Sequence, residues 1–570
     1  MTTNAPIRTP AKIALVLLPA ALLTFLAIGL VETRYTQWLF VHTTYYFLLA
    51  TVLCWAGTYL HAARGLRREA VVAWAKDNWP GLVIAFALTV IAWHAIEPAL
   101  RMLSDEANLV GTSKNLYASQ TATFTVSGKY YYDSYWDVDV AIDQRPALFP
   151  FLVSLVHVVW GYSHENAFAF NLILLPAFVF LAYRLAKSLG GETFGIVASL
   201  FVVAHPVTLL AVRSGGFDFL ALFFALLALK TLADYCRESS PARLAMLWMN
   251  LCMFAEIRYE SALFILPVVA LLLFFRMVAW STLRPYTFIY ALTPAYLLPR
   301  IWQAVLVGSV PRQEPGTVAF GLESFLSNVH EYWKPIVSPF HSYPAHSRVV
   351  LALGILGCIL WLHSHRRGLL SRDWTRLKFP IFVIAWMLLQ SMVVFTYAWG
   401  RAQNPASARL FLPIDTFFSF AAAWGLTRLL GRLRPFVAVL LAAAVLPVTI
   451  ADASQHRMLN RLTQTRESAT TWRFFESLHE KRILIVTDRP NHFTIMGYGA
   501  MSFEAARQDP FIFEALARRL FYDIYVVQQI RLSTKEPLPG YDIWPGRKLE
   551  TLLEFQNDAD VLIRISRVAR

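Results

Sequence analysis

Charged residues are scarce in this sequence. Of its 570 residues only 15% are Asp, Glu, Lys or Arg and 57% are hydrophobic, whereas an ordinary soluble domain is about 25% charged. So little charge cannot cover a water-facing surface, and the chain is expected to cross a membrane many times. Cysteine is scarcer still. Cys54, Cys236, Cys252 and Cys358 lie within or at the ends of apolar runs, which excludes an extramembrane disulfide framework and leaves them as small apolar side chains. Acids are outnumbered, 37 against 51 Lys and Arg, for a formal charge of +14. In a soluble protein that excess would raise nucleic acid; here the positive residues cluster in short loops between apolar runs, where they set topology. No small-residue cleavage site follows the apolar run after Arg8 and Lys12, so that run is expected to be a first span and not a removed signal peptide. No internal repeat is visible, which weighs against a secondary transporter built from two related halves.

A hydrocarbon core about 30 Å thick needs roughly 20 apolar residues per helix. Thirteen spans are assigned, near 12–31, 38–60, 80–100, 166–186, 192–212, 217–235, 244–257, 261–276, 286–308, 348–364, 379–398, 410–430 and 435–452. The run PALFPFLVSLVHVVWGY (146–162) opens on Pro146 and Pro150 and is placed at the interface. With a cytoplasmic N-terminus, the inner short loops then hold twenty Lys and Arg and the outer ones five, Arg34, Arg213, Arg258, Arg401 and Arg409, the bias that sets orientation. The expected organisation is two helices and a cytoplasmic loop (1–79), a transmembrane module (80–452) with outer loops 101–145 and 309–347, and an outer segment (453–570). In that last segment RILIVTD (482–488), YDIYVVQQI (522–530) and ADVLIRISRV (559–568) are strand-like and PFIFEALARRL (510–520) is helical, which predicts a small, separate α/β domain.

The chemistry-bearing residues gather at the outer helix ends. In SDEANLVGTSKNL (104–116) Ser104 can cap a helix beginning at Asp105, with Leu109, Ser113 and Leu116 on one face, lying along the outer surface. Asp105 and Glu106 suit the helix dipole there, and that alone would explain them. The stretch YYYDSYWDVDVAIDQRP supplies Asp133, Asp137, Asp139, Asp143 and Arg145. Asp137 and Asp139 alternate along an extended chain and can both reach a hard cation, although so short a pattern more often marks a solvated acidic loop. His94, Glu97, Arg213, Asp218, Glu256, Arg258, Glu260, Arg401 and Arg409 are assigned to the same side. Singly, such residues snorkel or pair; together they describe a cavity in which arginine forks take a phosphate and a carboxylate accepts a hydroxyl proton. His330, His341 and His346 are irregularly spaced with no neighbouring Cys, and are read as surface or lipid-interface histidines.

The order of Asp105–Glu106, RPALFPFL (145–152), YRLAKSLGG (183–191), RSGGFDFLALFFALLAL (213–229), FAEIRYESALFILP (254–267) and ARLFLP (408–413) resembles the GT-C superfamily of membrane glycosyltransferases. The similarity is greatest to the protein O-mannosyltransferase-like group and the lipid A aminoarabinose transferases, and it spans roughly residues 80–430. It implies a polytopic GT-C-type helical bundle, a polyprenyl-phosphate sugar donor at the outer face of the bacterial inner membrane, and inversion at the anomeric carbon. The family's first-loop acid matches Asp105, with Glu106 beside it; its second outer acid matches Asp218, and its late arginine Arg409. This chain departs from the family in having two extra helices before the catalytic loop, and DEANL (105–109) stands where the family has a tyrosine-bearing DExRY. With Asp105 or Glu106 as base, Asp218, Arg145, Arg213, Arg258, Glu260, Arg401 and Arg409 are the expected substrate-binding set. The acceptor is a glycan, lipid or protein hydroxyl, with no nucleic acid partner and no cofactor beyond a divalent cation on Asp137 and Asp139. An O-antigen polymerase or ligase, or a secondary transporter, is the alternative reading.

Overall fold

The computed structural model describes residues 23, 24, 27 and 32–570, apart from 65–66, 102, 309–318, 338–344, 371–373, 403, 405, 432–433, 455–462, 559 and 570. Apolar runs fold as helices because in lipid every backbone N–H and C=O must be satisfied within its own segment. In chain order the helices are α1 (Thr33–Ala63), α2 (Arg68–Ala95), α3 (Leu103–Ala118), α4 (Leu148–Trp160), α5 (Asn166–Gly190), α6 (Glu192–Phe201), α7 (Pro206–Val212), α8 (Asp218–Arg237), α9 (Pro241–Ala255), α10 (Ile265–Phe274), α11 (Thr293–Gly308), α12 (Leu322–Val337), α13 (Arg348–Leu370), α14 (Trp374–Thr396), α15 (Leu412–Leu426), α16 (Pro435–Ala453) and α17 (Thr463–Ser477).

The chain is a helical, membrane-spanning protein. Among the described residues eight helices are long and apolar enough to cross a bilayer, or nine if the bent pair α6–α7 counts as one span. Thirteen spans were expected, and three expected ones are shorter helices: α9, α10 and α11 have 15, 10 and 16 residues. The span expected at 12–31 lies almost wholly outside the described residues. The one expected at 192–212 bends by 77°. Pro206 is the reason: it opens α7 without an N–H to donate, and His205 before it is extended (φ −118°, ψ 126°).

Two readings of α3 are corrected. It begins at Leu103, so Asp105 and Glu106 sit in its first turn. It does not lie on a surface: Glu106, Ala107, Leu109, Val110, Ser113 and Leu116 are all buried. One side packs on α4, and the C-terminal segment covers the other. That segment carries the small sheet expected of it, with β3 (Leu484–Val486), β5 (Ile524–Arg531) and β7 (Val561–Val568) near the three strand-like runs, plus β4 (Gly499–Met501) and β6 (Leu549–Gln556). It is not separate. The hairpin of β1 (Phe124–Tyr131) and β2 (Ser134–Ala141), from the first large loop, joins the same sheet in the order β2-β1-β4-β3-β5-β7-β6. β3 pairs in parallel with β4 and β5, and the other neighbours are antiparallel.

One turn welds the two parts. The carbonyls of Thr494, Ile495, Met496 and Gly497 accept in succession from Lys114 of α3, Tyr162 ahead of α5, Lys481 ahead of β3 and Tyr130 of β1. Asn491 donates to Asn108 of α3 at 2.6 Å, and Thr465 of α17 to the Leu100 carbonyl at 3.1 Å. The chain entering α3 and the helix itself are thus fastened to the C-terminal segment at residues 100, 108 and 114.

Candidate active site

Alternate helix directions bring the ends that matter together: α8 and α15 begin, and α9 ends, beside the first turn of α3. Asp218 is the first residue of α8, Arg258 follows α9, and Arg409 precedes α15. Their side chains form one unbroken ionic chain. Arg409 donates to Asp218 at 2.8 Å and to Asp105 at 3.1 Å. Asp218 also takes Arg258, which reaches Glu260 at 2.6 Å. Asp105 also takes Arg145, which reaches Asp143 at 2.7 Å. Three guanidiniums thus tie four carboxylates. Asp105 is the most open of the acids, with its side chain 24% exposed against 4% for Asp218 and Asp143 and 14% for Glu260, so it is the one an incoming group can reach.

The backbone around the chain is held by side-chain amides. Gln303 of α11 donates to the Asp143 carbonyl at 3.1 Å and also to that of Arg145, and Tyr259 to that of Gln144 at 2.9 Å. Asn171 of α5 donates to the carbonyls of Ser214 and Gly216 at 2.9 and 2.8 Å, shaping the turn before Asp218. The glycines keep that turn close to its neighbours: a Cβ on Gly216 would lie 3.2 Å from Glu106 Oε1, and one on Gly215 3.2 Å from the Phe168 ring, so either would push its neighbour aside by a few tenths of an ångström.

Glu106 is set differently from its neighbour. It is 1% exposed, and its Oε2 accepts the backbone N–H groups of Arg101 and Gly215, both at 2.9 Å. Burial pushes its carboxyl up to about 7 in spite of those donors. It pins the 213–217 turn to α3 and stands behind the ionic chain. Asp143 is likewise raised by burial, against the pull of Arg145.

Of the other expected site residues, Arg401 is exposed and stands apart. Arg213 turns to the Ile96 carbonyl at 3.0 Å. Glu256 is buried and accepts from the Arg300 backbone at 3.3 Å. His94 and Glu97 are exposed, Glu97 facing Arg473 at 3.4 Å. Asp137 and Asp139 lie on β2, the edge strand. Asp137 accepts from Thr125 at 2.8 Å and Asp139 is exposed opposite Ser127.

Among the described residues the His and carboxylate group close enough to hold a metal is a different one, His205, His346 and Asp415. It corrects the reading of His346 as a surface residue, since all three are buried. His330 is exposed, and His341 lies outside the described residues. Asp415 accepts from Tyr332 at 2.9 Å and bonds His346 Nδ1 at 2.7 Å, while His205 Nδ1 accepts the Ser347 N–H at 3.1 Å. These bonds tie α12, α15 and the start of α13 together, while His346 Nε2 is buried with no hydrogen-bond partner. Ionisable residues inside apolar runs were the signal in the sequence.

No protein-family model matches the chain, and no curated protein does. Its structure is similar to that of ArnT from Cupriavidus metallidurans bound to undecaprenyl phosphate, at 12% identity and TM-score 0.48 over 85% of this chain and 97% of that one. It is also similar to the oligosaccharyltransferase of Archaeoglobus fulgidus in complex with zinc and sulfate, at 13% identity and TM-score 0.44 over 78% and 67%. For the arabinofuranosyltransferase AftD from Mycobacteria the figures are 14%, 0.43, 89% and 40%.

Proposed function

We propose that the protein is a GT-C-type glycosyltransferase that moves one sugar from a polyprenyl-phosphate donor to a hydroxyl of a glycan, lipid or protein, with inversion, at the outer face of the bacterial inner membrane. The observation that carries this reading is the position of Asp105: the most open carboxylate of the site, joined through Arg409 to Asp218 at the end of a membrane-spanning bundle. The motif order from Asp105 to ARLFLP supports the same reading, and the Lys and Arg count supports an outward-facing site with residues 453–570 in the periplasm.

The reaction is a single displacement. The acceptor oxygen attacks the anomeric carbon, the carbon–oxygen bond to the lipid phosphate breaks, the hydroxyl proton passes to Asp105, and the lipid phosphate leaves. Asp105 acts as general base. Arg409, with its Nε buried and without a partner, stands beside it to meet the charge growing on the leaving phosphate; one well-placed donor contributes about 3–4 kcal/mol to such a step. Arg258 and Arg145 keep Asp218 and Asp105 in place and are the further donors within reach. Glu106 is a positioning residue. The exposed Tyr132 and Trp136 of the hairpin offer faces for a sugar ring.

The test is to incubate purified protein with a panel of polyprenyl-monophosphate sugars and measure free lipid phosphate. Release with at least one sugar is expected. Neither release nor binding across the panel would overturn the assignment in favour of a transporter.

A further inference from the structure

Two arginines lie outside the ionic chain and meet at the carbonyls that end α2. Arg213 Nε donates to the Ile96 carbonyl at 3.0 Å and Arg101 Nη2 to the Glu97 carbonyl at 2.6 Å, so the two guanidiniums are gathered on adjacent residues. The Ala99 N–H, donating to the Arg213 carbonyl at 3.2 Å, draws the two segments together. Each arginine is 8% exposed. Arg101 Nε and Nη1 are buried with no hydrogen-bond partner.

The acids nearby answer this charge only through their fields. Glu106 accepts the Arg101 backbone N–H and Glu97 turns its carboxylate to Arg473, so both act on the Arg101 guanidinium from a distance, as Glu165, exposed ahead of α5, acts on Arg213. A buried cation with unused donors is costly unless an anion is present, and a second cation beside it raises that cost. A phosphate removes both, since each guanidinium can present two parallel N–H groups to its oxygens. The depth of the pair names the source of the phosphate. The Arg213 guanidinium lies 5.3 Å from the centre of the Trp93 ring, which is 57% exposed on the last turn of a membrane-spanning helix, and tryptophan so placed marks the headgroup level of a bilayer.

We propose that Arg101 and Arg213 form a binding site for the phosphate of a membrane lipid, on the far side of Glu106 from the carboxylate–guanidinium chain. The lipid's head bridges the two guanidiniums and its tail runs down α2 past Trp93. The site stands whether or not the protein transfers sugar.

Native mass spectrometry tests it on the purified full-length chain in a phosphate-free detergent. The probes are phosphatidylglycerol, polyprenyl monophosphate, diacylglycerol and inorganic phosphate. The wild type is expected to hold a phosphate-bearing lipid that depends on Arg101 and Arg213, in addition to any polyprenyl monophosphate in the transfer site, and no diacylglycerol. R101Q and R213Q should each weaken that binding about tenfold, the loss of one good charged contact. R101K and R213K, which keep the charge and guard against misfolding, should weaken it less, because an ammonium lacks the fork. A preference for polyprenyl monophosphate names the prenyl lipid as occupant, and equal binding names any phosphate lipid; both support the site. Binding of inorganic phosphate with no lipid, or equal lipid retention by all four variants, overturns it. Sugar transfer measured on the same variants separates the two proposals: transfer with no lipid binding rejects this site alone.

Discussion

At the scale of single residues the site divides two adjacent acids into different roles. Asp105 shares its oxygens between Arg145 and Arg409 and remains reachable, whereas Glu106 is sealed against two backbone N–H groups. D105N is therefore expected to lower kcat by about 10²–10⁴ in the lipid-phosphate release assay, while E106Q keeps activity within roughly tenfold of wild type; the reverse ranking would assign the base to Glu106. Glu106 also makes a stability prediction. Its carboxyl rises from 4.5 unfolded to about 7 folded, so the folded state binds the proton more tightly. Stability is greatest below pH 4.5 and is lost as pH rises to about 7, by at most about 3 kcal/mol. Thermal melts in detergent should show wild type losing Tm across that window relative to E106Q, and parallel curves would refute the assignment. The sequence brought both residues to notice, but their separation rests on which guanidiniums and backbone amides reach each carboxylate, a matter of packing.

At the scale of elements, α3 is the piece that packing redefined. Its pattern of Leu109, Ser113 and Leu116 reads as one apolar face, and a helix with one such face is expected to float at an interface. The 491–497 turn, nearly four hundred residues later, covers the opposite side through Asn108 and Lys114. Replacing Lys114 with Met nearly keeps the length of the side chain and removes the charged donor to the Thr494 carbonyl, which retains only the Gly497 N–H at 3.1 Å. The expected cost is about 1–3 kcal/mol, read as a lower Tm and as faster hydrogen exchange in residues 103–118. Unchanged exchange there would show that the turn does not hold the helix. The break between α6 and α7 was legible in Pro206; the length of the apolar run concealed it.

At the scale of the whole molecule, the bundle, the hairpin and the C-terminal sheet share one core and one sheet, and the ionic chain lies at helix ends of the bundle. Its orientation is testable in a background with the four native cysteines replaced. A membrane-impermeant maleimide added to intact cells should label cysteines at Tyr132 and Trp399, which are 64% and 65% exposed, and should spare one at Arg64, in the loop after α1 that the Lys and Arg count assigns to the cytosol. The inverse pattern would turn the site toward the cytosol. Sheet order β2-β1-β4 makes a further point, since a strand pair from the first loop completes a sheet whose other strands lie beyond residue 480. The seam is a single bridge, Gly128 with Ala500, and nothing near either residue in the sequence announces it.

What the sequence determined by itself is the solvent and the material: apolar runs of helical length, positive residues to orient them, and a set of acids and arginines too costly to leave idle in lipid. These are local or additive properties, written into composition over windows of about twenty residues. The tertiary structure alone decided which charges belong together. Asp105 and Arg409 meet across 304 positions, Arg401 stands aside, and Arg101, which no motif marks, lies buried beside Arg213. Pairings of that kind depend on where helix ends stop in space, and that is fixed by packing among all the helices at once.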